Sequence, residues 1–551
     1  MTHHLDARRD ETSLAGRSPA TGTATSAAAT TAPATGSSAT GSSGTPVIAT
    51  AATGGLVALD RVGPDAGGGA VRDAARRVAD GRLGRRSFLA LSGAAIAVAV
   101  GASSAAAGGA RPGPGVPPHH PHPHPHPGPA KPGSSSLRSA VAFLRTASDA
   151  YPELNTGPRL AQSYADELGL FSTAFVYDTA LAILALLADG SRASLATAKA
   201  LGDGLVHAQE HDPAYDDGRL RQGYNVGPYT FYDGNPQPYG FVLPDGNANI
   251  GWQFGFLGTA VGDMAWPGLA LAHLYGVTRD ARYRDAAVRI GEWITTNTWS
   301  TRPLGGFSFG VDGGNNPVPN GSTEHNVDCV AFFTVLRTIT GAKTWTKAAE
   351  HARAFVERMW SRADGWFWTG TNDGVEINRS PVPLDPATWS WLALRERRYG
   401  GALDWAARAL AVTDRSSDET SQLPDGLSVS GVTFSTASLT STAQYNGITV
   451  HPQGVWLEGT AQLATSLLDR GMHRDRLRAR ALLDQVRHAQ ASLGGGQHLG
   501  GVEVTGGVVA ASSLLDSGFG FGYFQVQHVG ATSWYVFGAT GTNPMRWGGL
   551  R

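Results

Sequence analysis

A single cysteine, Cys329, is all that this 551-residue chain carries. No intramolecular disulfide can form, and a zinc or cluster site built on several thiolates is excluded. Cys329 reads as a small buried hydrophobe. Charge imbalance is also missing: 44 Lys plus Arg against 45 Asp plus Glu leave a net charge of −1, so no global field steers the chain toward nucleic acid or an anionic bilayer. There is no dinucleotide-binding glycine fingerprint, no Walker sequence and no HExxH. DGNANIG at Asp245 and NDGVEIN at Asn372 offer oxygen ligands without EF-hand spacing, so neither a metal nor a cofactor is expected. What is abundant is Gly (72) and Trp (14), a mix that suits aromatic platforms on glycine-rich loops and an uncharged, polar partner.

The N-terminal region lacks the large apolar residues a core needs. Residues 1–83 are rich in Ala, Thr, Ser and Gly and are expected to be a disordered leader. In residues 84–109, Arg85 and Arg86 precede Phe88, Leu89 and an apolar run ending at Val100, too short to span a bilayer comfortably. Ala105, Ala106 and Ala107 then offer a small-residue cleavage point. The segment resembles a twin-arginine export signal, although its leader is far longer than usual. That resemblance implies a secreted or cell-envelope protein, touching a membrane only through this segment if it stays uncleaved. Residues 110–136 form a Pro/His-rich linker, extended and semi-rigid. His122, His124 and His126 alternate with proline there without a fixed cage, so metal capture would be adventitious.

From residue 137 to 551 two kinds of apolar pattern alternate. Six segments are apolar on nearly every face, starting at Phe175, Gly262, Thr323, Pro383, Gly454 and Gly530. Six others, from Ser136, Arg192, Ala281, Thr346, Ala402 and Arg474, carry a charged stripe. A helix apolar all round must be buried on all sides, and one with a charged stripe faces water. The pattern predicts an all-α fold, an (α/α)6 toroid of six helical hairpins, here a monomer. Long Gly- and aromatic-rich loops precede the inner helices and short ones follow them, so one elaborated face should hold the cleft.

Hairpin number, the segments YDTALA, TEHN and GVWLEGTAQ, and the Trp-rich rims resemble the six-hairpin glycosidase superfamily. The resemblance implies a carbohydrate substrate and leans toward inversion at the anomeric carbon. Glycoside hydrolysis needs one protonated and one ionised carboxyl group. Candidates at the inner-helix starts are Asp178, Asp263, Glu324, Asp328, Asp385 and Glu458. Asp385 precedes Pro386 and reads as a helix N-cap instead. Glu324, with His325, Asn326 and Asp328 beside it, is the expected general acid; Asp178 or Glu458 is the expected base. Substrate contacts are expected from Tyr177, Asp263, Trp266, His325, Asn326, Asp328, Trp389, Trp456, His528 and Trp534, with Trp252, Trp366 and Trp368 also near the mouth. His325 and His528, on opposite sides of it, would suit a two-base sugar epimerase. A non-catalytic carbohydrate-binding toroid is the third alternative.

Overall fold

The computed structural model describes residues 134–165, 172–230, 236–250, 257–445 and 447–550. The leader, the export segment, nearly all of the linker and Trp252 lie outside the described residues.

Twelve α-helices occur among the described residues: α1 (Ser135–Ser148), α2 (Val176–Asp189), α3 (Arg192–Glu210), α4 (Val261–Thr278), α5 (Ala281–Asn297), α6 (Thr323–Thr340), α7 (Thr344–Met359), α8 (Asp385–Leu394), α9 (Gly400–Ala409), α10 (Leu457–Arg470), α11 (His473–Ser492) and α12 (Val529–Thr540). Each falls where the sequence pattern requires. In α4 every residue from Val261 to Leu274 is buried. In α7 the buried set is Trp345, Ala348, Ala352, Phe355, Val356 and Met359, a stripe at spacings of one, three and four. Short strand pairs fill the connections, the longest joining Ala411–Arg415 to Ser428–Val432. Trp360–Ser361 pairs with Trp366–Phe367 in a short hairpin.

The even-numbered helices pack in a closed cycle: α2 on α4, α4 on α6, α6 on α8, α8 on α10, α10 on α12, and α12 back on α2. Each later odd-numbered helix packs on the helix before it, while α1 packs on α12. The reversals within pairs are tight because α2 and α6 end on Gly190 and Gly341, whose φ of 67° and 75° a side chain would strain.

A second regularity runs around the opposite ends of the inner helices. The residue at the head of each one donates its N–H to the loop that leads into the next: Val176 to Gln222, Val261 to Phe309, Thr323 to Thr369, Leu384 to Phe434, Leu457 to Ala510 and Val529 to Ser163, all at 2.8–3.1 Å. The preceding residues form antiparallel bridges to the same loops, as in Ser322 with Gly370, Pro383 with Ser435, Trp456 with Ala511 and Tyr164 with His528. This belt satisfies N–H groups that a helix start leaves orphaned, and it puts the six starts in a common register.

Candidate active site

Counting from that register sorts the acidic residues. One position past each head stand Tyr177, Gly262, Glu324, Asp385, Glu458 and Gly530; four further on, about one turn deeper, stand Leu181, Trp266, Asp328, Trp389, Gln462 and Trp534. Asp178, Asp263 and His325 follow directly after the upper layer.

The densest polar contacts join α2, α10 and α12. Tyr177 donates its hydroxyl to Glu458 Oε1 at 2.8 Å and accepts from the Trp534 indole at 3.1 Å. Gln462 donates to the same Oε1 at 3.3 Å, its amide orientation set by Thr388. His528 Nε2 lies 3.1 Å from Asp178 Oδ1 and 3.3 Å from Oδ2, with the hydrogen bond going to Oδ2. Its Nδ1 accepts the Ala531 N–H at 3.3 Å, so the ring proton belongs on Nε2. Glu458 Oε2 stands 3.5 Å from that Nδ1 and, like Asp178 Oδ1, has no hydrogen-bond partner. A Cβ on Gly530 would sit 2.8 Å from each of these two oxygens and 2.7 Å from His528 Cε1. The two oxygens are therefore no more than twice 2.8 Å apart, and glycine is what lets α12 approach them.

Burial governs the protonation of this group. It pushes Glu458 well above the usual carboxylate range, aided by the charge of Asp178 and opposed by the Tyr177 hydrogen bond. Asp263 is raised to about 7 by burial, with Gln222 Nε2 donating to it at 3.0 Å and Asp178 adding repulsion. Asp328 is likewise raised by burial, then by Asp385 and Asp263. Asp263, at 9% exposure, is the most open carboxyl of the six candidates; Glu324 is at 2%.

Asp385 departs from its expected role. Leu384 occupies the cap position, no side chain caps α8, and both Asp385 carboxyl oxygens are buried without a partner. The belt bond from Leu384 N to Phe434 O sets the helix start one residue earlier than the Asp-Pro signature suggests. The carboxyl thus enters the upper layer beside Gln462, and burial raises it to about 7. Asp178 is not a cap either, since α2 has no side-chain cap bond.

Elsewhere the expected residues have structural employment. Ser322 caps α6 through the His325 N–H at 3.3 Å. Asn326 brackets Phe307, accepting its N–H and donating to its carbonyl, and donates to Ser322 O. His325 packs on Phe309, its Nδ1 is unpaired, and burial lowers it to about 3. Among the described residues it makes no ion pair with a carboxylate, so it and His528 are not equivalent bases. Tyr177, Trp266, Trp389 and Trp534 are fully buried and pack on one another with ring centroids 5.2–6.2 Å apart. Trp456 belongs to a separate aromatic group with Phe434 and Tyr523. Asp245 and Asp373 accept backbone N–H groups of their own turns. No group of three or more His, Cys, Asp and Glu among the described residues could hold a metal ion.

Tyr164, Gln222, Gln462 and Gly530 were missed in the sequence. Tyr164 stacks on His528 at 4.3 Å and 7°, is half-buried, and feels both Asp178 and Glu458. It stands in a loop without periodicity, and only the belt brings it across from residue 528.

No protein-family model and no curated protein matches the chain. Among solved structures it is similar to a family 76 glycoside hydrolase from a bovine Bacteroides thetaiotaomicron strain, at 10% identity and a TM-score of 0.46 over 74% of this chain and 78% of that one. It is similar to cellobiose 2-epimerase from Bacillus thermoamylovorans, at 12% identity and 0.47 over 73% and 98%, and to a D-mannose isomerase at 11% and 0.46 over 75% and 98%. Likenesses of this degree do not say which reaction the chain runs, which has to come from its own side chains.

Proposed function

We propose that this chain is a glycoside hydrolase on an α/α toroid of the six-hairpin kind, exported through the twin-arginine-like segment and cleaving an oligo- or polysaccharide. The observation that carries the reading is the approach of Asp178 Oδ1 and Glu458 Oε2 across Gly530, one carboxyl ordered by an imidazole and the other held protonated by burial. Two carboxyls whose surroundings differ in this way can serve as base and acid. Glu458, kept as the carboxylic acid, donates to the leaving oxygen. Asp178, oriented by His528 Nε2–H, attacks the anomeric carbon or activates water.

The upper bound of twice 2.8 Å falls below the roughly 6.5–9.5 Å of inverting pairs, which leans toward retention and away from the inversion that the superfamily resemblance suggests. Glu324, in the same register as Glu458, is the second candidate donor. An epimerase would need two comparable bases, and His325 lacks the carboxylate support of His528. The test is a screen of polysaccharides and aryl glycosides, scored for new reducing ends and for the anomer first released. Hydrolysis that survives in both Glu458→Gln and Glu324→Gln, or sugar interconversion without bond cleavage, refutes the proposal.

A further inference from the structure

The upper layer of the ring is lopsided. Glu324, Asp385 and Glu458 come from three consecutive inner helices, whereas the other three bring only Tyr177 between Gly530 and Gly262. A fourth acid, Asp328, lies one turn deeper. Among the described ion pairs no Arg or Lys serves Asp178, Asp263, Asp328, Asp385 or Glu458, and the one basic partner is His528. Both oxygens of Asp328, both of Asp385, Asp178 Oδ1 and Glu458 Oε2 are buried without a hydrogen-bond partner. The donors near these oxygens are the Trp266 indole, close to Asp328 but outside hydrogen-bond geometry, and the Gln462 amide, close to Asp385 but bonded to Glu458.

No cationic side chain thus offsets these acids, and buried polar groups call for partners. A sugar hydroxyl brings one donor together with new acceptors, a uronate brings acceptors alone, and an ammonium brings three donors and no acceptor. We infer that the substrate is an amino sugar whose protonated amine is received by the Asp328–Asp385 side of the ring. The inference rests on reading this ring as the sugar site. The same carboxyls can stay buried without a counter-ion by remaining protonated, so an arriving ammonium displaces protons from them. Asp263, Cys329, Glu458 and Tyr177 are the titratable groups whose interactions reach these two carboxyls; Glu324 stands in the same layer, and Asp178, His528 and Tyr164 lie on the far side of Glu458.

The experiment is calorimetric titration of the full chain with D-glucosamine and with D-glucose, near pH 6, where the amine is charged, in two buffers of different ionisation enthalpy. Glucosamine should bind roughly tenfold or more tightly over glucose, as one opposite charge shifts a carboxyl by a unit or more. Its heat should depend on the buffer, and Asp328→Asn with Asp385→Asn should abolish the preference for glucosamine over glucose. Thermal melting of the double variant checks that the fold is kept. Equal affinity for the two sugars, or a preference that survives the double variant, overturns the inference. Cleavage of neutral glycosides without an amine preference would remove this inference alone; an amine preference without cleavage of chitosan oligosaccharides or neutral ones would remove the hydrolase reading alone.

Discussion

The side chain with most influence on the Asp178–Glu458 pair is one that is not there. Gly530 occupies the register that holds carboxyls on α6, α8 and α10, and a methyl group at that position meets Asp178, Glu458 and His528 at under 3 Å. Gly530→Ala is expected to lower turnover by pushing the pair apart, with all carboxyls retained; reducing-end assays beside a thermal melt check this. Glu458→Gln and Asp178→Asn should each lower kcat by about 10²–10⁴, the usual worth of a positioned acid or base, with circular dichroism unchanged. A near-normal rate in either variant would reassign that residue to structure.

At the scale of elements, helix positions were legible in the sequence because burial on all faces and burial on one stripe leave different patterns. The relative register of the helices was not. Loops of unequal length separate the starts, and the alignment comes from backbone bonds between segments distant in the chain, such as Thr323 N to Thr369 O. For that reason Asp385 passed for a cap, and Tyr164 and Gly530 passed unnoticed. The two helix starts answer differently to mutation. Ser322→Ala should cost about 1 kcal/mol, the typical value of a lost N-cap, visible in urea unfolding. Asp385→Asn removes no cap and should raise the melting temperature at neutral pH, because the amide cannot ionise where burial opposes charge.

For the whole molecule the buried acids set a pH profile. Asp263 and Asp385 have folded-state values near 7, above the roughly 3.9 of an unfolded Asp, so the stability they contribute is full below that lower value and is lost as pH rises toward 7. Asp414 runs the other way. Its carboxylate accepts from Ser421, Ser512 and Ser513 at 2.6–2.7 Å with His451 at 3.2 Å, and these contacts outweigh burial to lower it. Its contribution is present above the unfolded value and lost as pH falls through its folded one. The melting temperature should peak on the acid side of neutrality, and Asp263→Asn with Asp385→Asn should flatten the fall between about pH 4 and 7. A profile rising steadily to pH 8 would contradict these protonation states.

The packing of α1 against α12 also has a consequence in time. Ser136 of α1 bonds to the Tyr535 hydroxyl of α12 at 2.7 Å, so the hairpin that closes the cycle is assembled from the first and last of the described helices. At about 5–20 residues per second, α1 emerges tens of seconds before the partner for its apolar stripe exists. Until then every nascent form has an open wall, a natural target for chaperones and proteases.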